Sequence, residues 1–227
     1  GSNTDPYQPA EREMRVTRAI LETLRDFAHP FSIVTKSALV TRDIDIIAPM
    51  SEKRLAHVFV SVTTLDRDLA RRMEPRASTP QRRLDAIKAL ADAGVEVGVM
   101  AAPMIPALND HELEAILQAA RDAGAASAGY TLLRLPLEIK ALFDEWLDAH
   151  APLRKSRVLD LVRQSRDGKL NHAEFGTRFV GTGPYAALLN ARFVKARKRL
   201  GLTRNDWSYD LTRFKPPPQA GDQLALL

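Results

Sequence analysis

No cysteine occurs anywhere in the 227-residue chain, and that absence restricts its chemistry more than any residue present. Disulfides, thiolate zinc sites, a cysteine nucleophile and thiolate-held iron–sulfur clusters are all excluded from this polypeptide. No window approaches the roughly eighteen uninterrupted apolar residues of a bilayer span, so no membrane partner is expected. The start, Gly1-Ser2-Asn3-Thr4-Asp5, is polar and has no signal-peptide pattern. Gly1-Ser2 reads as a cloning remnant, which makes the chain an engineered or proteolytic fragment with a cytoplasmic address. A glycine-rich phosphate loop and a nucleophile elbow are missing, as is any histidine pair at helical metal spacing. His57, His111, His150 and His172 therefore read as ordinary residues.

What is present belongs to a globular chain: 45% apolar and 27% charged residues. The net charge of +5 is unevenly spread. From Ala151 to Lys215 there are 15 Lys/Arg against five Asp/Glu, which leaves 18 basic and 23 acidic residues elsewhere. A basic block on a mildly acidic body predicts a docking surface for a polyanion.

Periodicity predicts alternating helices and strands over the first two thirds. Helical spacing runs over 10–28, followed by a strand at 31–35 and a helical stretch at 39–53 bent near Pro49. A strand at 58–63, a helix at 78–93 and a strand at 95–100 come next. Ser78 or Thr79 is the N-cap of the middle helix, with Pro80 in its first turn and Gly94 after its end. Asn109 or Asp110 caps a helix through Ala123, a strand covers 128–133, and a helix follows Pro136. Four strands each followed by a helix make a parallel α/β arrangement with both faces covered. Half-barrel, full barrel and open doubly wound sheet all satisfy this pattern. Beyond Pro152 come basic amphipathic helices at 154–167 and 184–200, then a proline-rich stretch and a short tail. The domains expected are 3–150, 151–214 and 215–227.

Ligands of parallel α/β folds gather at the carboxyl ends of the strands. Thr35-Lys36-Ser37, Ser61-Val62-Thr63-Thr64, Ala102-Pro103-Met104-Ile105-Pro106 and Tyr130 to Arg134 fall at such ends, and Thr4-Asp5-Pro6-Tyr7 opens the chain. One lysine for an anionic group, hydroxyls for a sugar and backbone beside prolines for an adenine edge suit a carboxylate- and ribose-bearing ligand. Glu74, before Pro75, and Arg76 read as surface residues.

These residues in this order resemble the radical S-adenosylmethionine (SAM) superfamily, in an uncharacterised bacterial branch related to spore photoproduct lyase. The resemblance rests on Thr4-Asp5-Pro6-Tyr7-Gln8-Pro9-Ala10-Glu11, Thr17-Arg18, Val34-Thr35-Lys36-Ser37, Arg42-Asp43, Ser61-Val62-Thr63-Thr64, Glu74-Pro75, Ala102 to Asp110, Leu133-Arg134-Leu135-Pro136 and Gly181-Thr182-Gly183. It implies a partial (β/α)6 TIM-like barrel, truncated here at its N-terminal strands, with the basic helices as an extension. It also implies a 4Fe–4S cluster on three cysteines upstream of this chain, which reduces SAM to methionine and a 5′-deoxyadenosyl radical. By position in the family, Asp5 and Tyr7 border the methionine end of SAM, and Lys36, with Ser37, contacts it. Ser61 and Thr63 face the ribose, while Pro103, Met104 and Ile105 lie on the adenine side. Without cysteine this polypeptide performs no radical chemistry alone, and no catalytic residue is assigned. An unpaired edge left by truncation is expected to self-associate.

The lyase relatives act on DNA, and Arg192, Lys195, Arg197, Lys198 and Arg199 of the basic block are the candidate phosphate contacts. Trp207 and Tyr209 beside them are candidates for stacking on a base, with core packing the expected use of Trp207. Gln223, Leu224, Leu226 and Leu227 of the tail resemble the short peptide by which bacterial repair proteins dock on the DNA sliding clamp. The competing reading is a non-catalytic module that binds DNA or the clamp.

Overall fold

A computed structural model of the chain describes residues 4–171, 178–203 and 208–217. Two short elements open it, α1 (Glu11–Met14) and α2 (Val16–Asp26), followed by β1 (Phe31–Thr35), a 3-10 segment Ala38–Asp43 and α3 (Ile44–Glu52). Then come β2 (Ala56–Ser61), α4 (Arg67–Met73), α5 (Pro80–Asp92), β3 (Val97–Met104), α6 (Leu113–Asp122) and β4 (Ser127–Leu132). The remainder is helical: α7 (Ile139–His150), α8 (Lys155–Gln164) and α9 (Gly183–Arg199).

The strands form one sheet in the order β1-β2-β3-β4, every pair parallel. In-register partners include Thr35 with Val60 and Ser61 with Met100, so the carboxyl ends of successive strands lie side by side. The β3–β4 register shifts between Ala101 and Met104, where Ala102–Pro103 is a cis peptide. Alternation puts Ile33, Val58, Val60, Val97, Val99 and Ala101 on one face, all buried. Helices α3, α5 and α6 pack there, and α9 covers β4 through Phe193 on Tyr130. The other face carries Ser32, Val34, His57, Phe59 and Met100, each exposed or half-buried. The expectation of helices on both faces thus gives way to a one-sided helical layer. The lower part of the open face meets Tyr209, whose ring lies 5.5 Å from that of His57. Segment 208–217 is held by hydrogen bonds from Asp210 N to the Arg54 carbonyl and from Lys215 N to the Phe27 carbonyl. Tyr209 therefore packs on the sheet instead of offering a stacking face.

Helix boundaries follow from capping chemistry. The single helix expected over 10–28 is broken at Arg15, which adopts φ 51°. The Glu11 carboxylate accepts from the backbone N–H groups of Thr17 and Arg18, satisfying the orphan donors of α2. Helix α4, which the periodicity misses, is set by Asp66 accepting from Asp68 N and Leu69 N. The expected cap, proline and terminating glycine of α5 are all in place at Thr79, Pro80 and Gly94 (φ 77°).

Two apolar clusters hold the molecule. The larger one joins the sheet to α3, α5, α6 and α9, and includes Ala186, Leu189 and Phe193. The smaller one joins Leu69, Ile105, Leu108, Leu133 and Leu135 to Phe143 and Leu147 of α7 and to Val158, Leu159 and Val162 of α8. The basic helices beyond residue 151 therefore share their cores with the sheet-bearing part. Among the described residues no helix is long and apolar enough to cross a membrane.

Gly98 marks the tightest packing of the open face: a Cβ there would collide with the Phe59 ring and the Ser127 hydroxyl. Gly98→Ala should cost about 1–3 kcal/mol through overpacking. Urea unfolding checks this, and an unchanged midpoint would mean that the Phe59 ring swings away freely.

Candidate functional site at the carboxyl ends of the strands

The polar residues expected at the strand ends do converge, but most are tied to one another. The Asp5 carboxylate accepts from Thr35 Oγ1 (2.6 Å), Lys36 N (2.7 Å) and Tyr7 N (2.8 Å), stapling the opening segment to the end of β1. Ser37 Oγ accepts from Leu39 N and starts the 3-10 segment. Lys36 Nζ lies 2.5 Å from Glu74, and Arg83 Nη2 lies 2.6 Å from the other oxygen of the same carboxylate. Arg83 also donates to the carbonyls of Ser78 (2.7 Å) and Ser61 (3.1 Å). The Thr63 hydroxyl is 3.1 Å from both Glu74 and the Ala102 carbonyl. One network thus spans the ends of β1, β2 and β3.

Its electrostatics keep Glu74 ionised. Burial alone would raise the Glu74 pKa, but the charges of Arg83 and Lys36 and their hydrogen bonds hold it below the usual carboxylate range. The expectation that Glu74 is plain surface is overturned: its side chain is 12% exposed and Arg83 only 2%. Arg83 had a readable signal, because it occupies the inward stripe Pro80, Arg83, Ala86, Ile87 and Leu90 of α5. A charged residue on an apolar stripe needs a buried partner.

Three expected positions differ in what they present. Tyr7 is buried, and its hydroxyl donates to Asp43 Oδ2 (3.0 Å) instead of facing the rim. Met104 and Ile105 are wholly buried, one in each core cluster, so their side chains pack. The backbone around them is also committed: Ile105 N donates to Asn109 Oδ1 (2.6 Å), and Asn109 Nδ2 donates to the carbonyls of Thr63 (2.7 Å) and Pro103 (3.0 Å). Asn109 makes no helix cap with its side chain. It ties the end of β2 to the turn after β3. Pro103 itself is half-buried at the rim, and Ser61 is buried at the end of β2.

A cleft of about 550 Å³ borders this network, lined by Asp66, Ala70, Glu74, Pro75, Ser78 and Thr79. A second cavity, about 640 Å³, lies farther out between α4 and α7, against Leu69, Arg72, His111, Trp146 and Arg154. The first has the network's charge at its wall, and the second is separated from it.

The candidate phosphate contacts are not on this rim. Leu200, the residue that follows α9, accepts at its carbonyl from Arg121 in the last turn of α6, and the chain then reaches Thr203, paired with Ser127 at the start of β4. Lys195, Arg197, Lys198 and Arg199 therefore sit toward the opposite end of the sheet. Arg197 lies over the Phe193 ring, while Lys195, Lys198 and Arg199 are exposed. Arg192 is engaged by the Glu114 carboxylate (2.6 Å) and the Asp110 carbonyl (3.0 Å), so its charge is neutralised by the body of the protein. Trp207 and the tail residues Gln223, Leu224, Leu226 and Leu227 lie outside the described residues.

The Radical SAM superfamily profile matches residues 1–120. The chain belongs to the radical SAM superfamily. An uncharacterized protein of Mycobacterium tuberculosis is 36% identical over 166 residues, covering 72% of this chain and 49% of its own length. Another, from Methanocaldococcus jannaschii, is 33% identical over 111 residues, 49% of this chain and 41% of that protein. Among solved structures, a spore photoproduct lyase mutant with bound AdoMet and dinucleoside spore photoproduct superposes with TM-score 0.60 at 17% identity. That match covers 84% of this chain and 55% of the lyase. The chain spans about half the length of the curated relatives first matched.

The superfamily implies a 4Fe–4S cluster and SAM. The donor set here does not fit the cluster: the sequence has no cysteine, and no cluster of His, Asp and Glu able to hold a metal occurs among the described residues. No reaction step is therefore derived through it. For SAM the fit is partial: Lys36 offers an ammonium that it shares with Glu74, while the buried Thr63 hydroxyl is committed to Glu74 and the Ala102 carbonyl and the Asp5 carboxylate is filled by three donors.

Proposed function

We propose that this chain is the SAM-side part of a radical SAM enzyme acting on nucleic acid in a repair-type, lyase-like reaction, the cluster ligands coming from polypeptide outside this sequence. The observation that carries the reading is the shared rim: Lys36, Ser61, Thr63 and Pro103 close three adjacent parallel strands in a chain of this superfamily. In this reading the sheet is part of a (β/α)6 barrel, and its open face of Ser32, Val34, His57 and Phe59 lines the interior. Within it, Lys36 holds the SAM carboxylate while sharing its charge with Glu74. Thr63 and Ser61 orient the ribose. When bound, the cluster would supply the electron that cleaves SAM, and the residues of this chain position the cofactor and exclude water.

A nucleic-acid partner is supported by the exposed Lys195, Lys198 and Arg199 at the tip of α9. The tail is proposed to dock on the DNA sliding clamp. The outer edge of β1, which pairs with no other strand among the described residues, with Val34 47% exposed, and the exposed Met14, Val16 and Ile20 are proposed to pair with further polypeptide or with a second copy.

The test uses the longer natural protein that contains this sequence, reconstituted anaerobically with iron and sulfide. It should turn brown and release 5′-deoxyadenosine from SAM under reducing conditions. Lys36→Ala should lower that release at least about tenfold by loss of a charged hydrogen bond to the cofactor. A colourless, inert protein that still binds DNA in a salt-dependent way would favour the non-catalytic module.

A further inference from the structure

Helix α4, the turn after β3 and helix α7 follow the carboxyl ends of β2, β3 and β4 in turn, and together they enclose the cavity of about 640 Å³. Its walls include Leu69, Arg72, Leu108, Trp146, His150 and Arg154. A second cavity, about 550 Å³, continues it, sharing His111, Leu153 and Arg154 and adding Arg157. One wall of this trough is an aromatic row on α7. The Trp146 ring is parallel to that of Phe143 at 5.9 Å, and the His150 ring lies 5.1 Å from Trp146 at 48°. The indole N–H donates to the Arg72 carbonyl (3.1 Å), which fixes the ring in place. His150 is exposed at the end of the row.

The charged groups along the trough differ in what they have left to offer. Both oxygens of Glu112 accept, one from Thr64 Oγ1 (2.5 Å) and one from Leu65 N (2.7 Å). Asp66 caps α4, and Asp110 accepts from Tyr185 Oη (2.7 Å) while its carbonyl takes the Arg192 guanidinium. The guanidiniums of Arg154 and Arg157 are exposed and pair with no carboxylate among the described residues. Arg72 commits only its Nε, to the Asp68 carbonyl (3.2 Å). A guanidinium fork matches the oxygens of a phosphate, and an aromatic wall takes the face of a base. Each cavity is of a size that holds one nucleotide. A duplex hides its base faces, so this pairing of groups selects a single strand.

We propose that this trough binds single-stranded nucleic acid, with one base against Trp146 and His150 and the adjoining phosphates on Arg154 and Arg157. The next unit of the strand occupies the second cavity. A strand held there lies at the same end of the sheet as Lys36 and Thr63, whereas the basic tip of α9 is at the other. The inference deepens the reading above and rests on its nucleic-acid part, for which it names the surface. Its test needs neither cluster nor SAM. Loss of SAM cleavage with intact binding in the trough sinks the enzyme reading alone, and the converse sinks the trough alone.

The probes are a short labelled single-stranded oligonucleotide, the matching duplex and adenosine monophosphate, titrated into the intact chain by fluorescence anisotropy and calorimetry. Arg154→Gln should weaken oligonucleotide binding about tenfold and reduce its salt slope by about 0.7. His150→Ala should weaken it at least about fivefold by removing a stacking face. Lys88→Gln, on the exposed face of α5, should bind as the parent chain does. In a Trp207→Phe chain, whose remaining tryptophan is Trp146, the oligonucleotide should quench the emission and an abasic strand should not. Equal affinities of parent, Arg154→Gln and His150→Ala, no binding of the oligonucleotide, or binding without quenching of Trp146 each overturn the proposal. So does a duplex that binds more tightly than the single strand, or adenosine monophosphate that binds as tightly. Should the variants fail to fold, phenylglyoxal modification of the parent chain decides. The oligonucleotide must slow modification of Arg154 but not of exposed Arg82, and lack of protection overturns the site.

Discussion

Arg83→Met should lower the stability of the chain by about 3–5 kcal/mol, read as a drop in the urea midpoint at neutral pH with little change in slope. The size follows from what the substitution strands. Arg83 is 2% exposed and links the Glu74 carboxylate at 2.6 Å to the carbonyls of Ser78 and Ser61. Methionine fills most of the volume but leaves a carboxylate facing one half-exposed lysine, with the buried Ser61 carbonyl and the half-buried Ser78 carbonyl each losing a donor. Adding Glu74→Gln in the Arg83→Met background should recover part of the loss, because the uncompensated buried charge disappears. A loss below about 1 kcal/mol would put the pair with ordinary surface ion pairs and remove it as the clamp between strand ends. The effect extends to function: the same arginine holds Thr63 and the end of β2 in register with the Ala102 carbonyl, so Lys36 and Thr63 should lose their common orientation when it is removed.

The regular elements were readable wherever local chemistry agreed with the final packing. Thr79, Pro80 and Gly94 bracket α5 as their cap and turn preferences require, and the β-branched runs became β1 to β4 within a few residues. The failures share a cause, which is that long-range partners decided the outcome. The break at Arg15 depends on Glu11 folding back onto Thr17 and Arg18, and on Arg42, 31 positions away, holding Glu11. The use of Asn109 as a tie between Thr63 and Pro103 could not be separated from a helix cap, since Asn serves either role.

At the rim, the sequence pattern found strand ends correctly but could not say which polar groups would be consumed internally. Asp5, Tyr7 and Ser37 look like ligand contacts until Thr35, Asp43 and Leu39 take their hydrogen-bonding capacity. Arg192 stands in a basic run, and only the packing of α9 on α6 shows that Glu114 claims it.

Asp43→Ala should likewise cost about 3–5 kcal/mol at pH 7, and this loss should fade in acid. Asp43 is wholly buried and accepts from Tyr7 Oη (3.0 Å), Arg18 Nη1 (3.0 Å), and Arg42 Nε and Nη2 (2.8 Å each). Burial pushes its pKa up, but the hydrogen bonds from Arg42, Arg18 and Tyr7 outweigh burial and leave it below the ordinary aspartate value. A depressed pKa means that the folded state holds the proton less tightly than the unfolded chain does. The stabilisation is then fully present above the unfolded pKa, about 3.9, and is lost as the pH falls from there toward the lower folded value. Parent and Asp43→Ala unfolding curves should accordingly lie far apart at pH 7 and converge below about pH 3.9. Glu74, also depressed, adds to the acid sensitivity of the parent and is unaffected by this substitution. Curves that stay equally separated at low pH would mean that Asp43 acts by packing instead of charge. The opening segment bearing Asp5 and Tyr7 would then be held by something other than its link to two arginines.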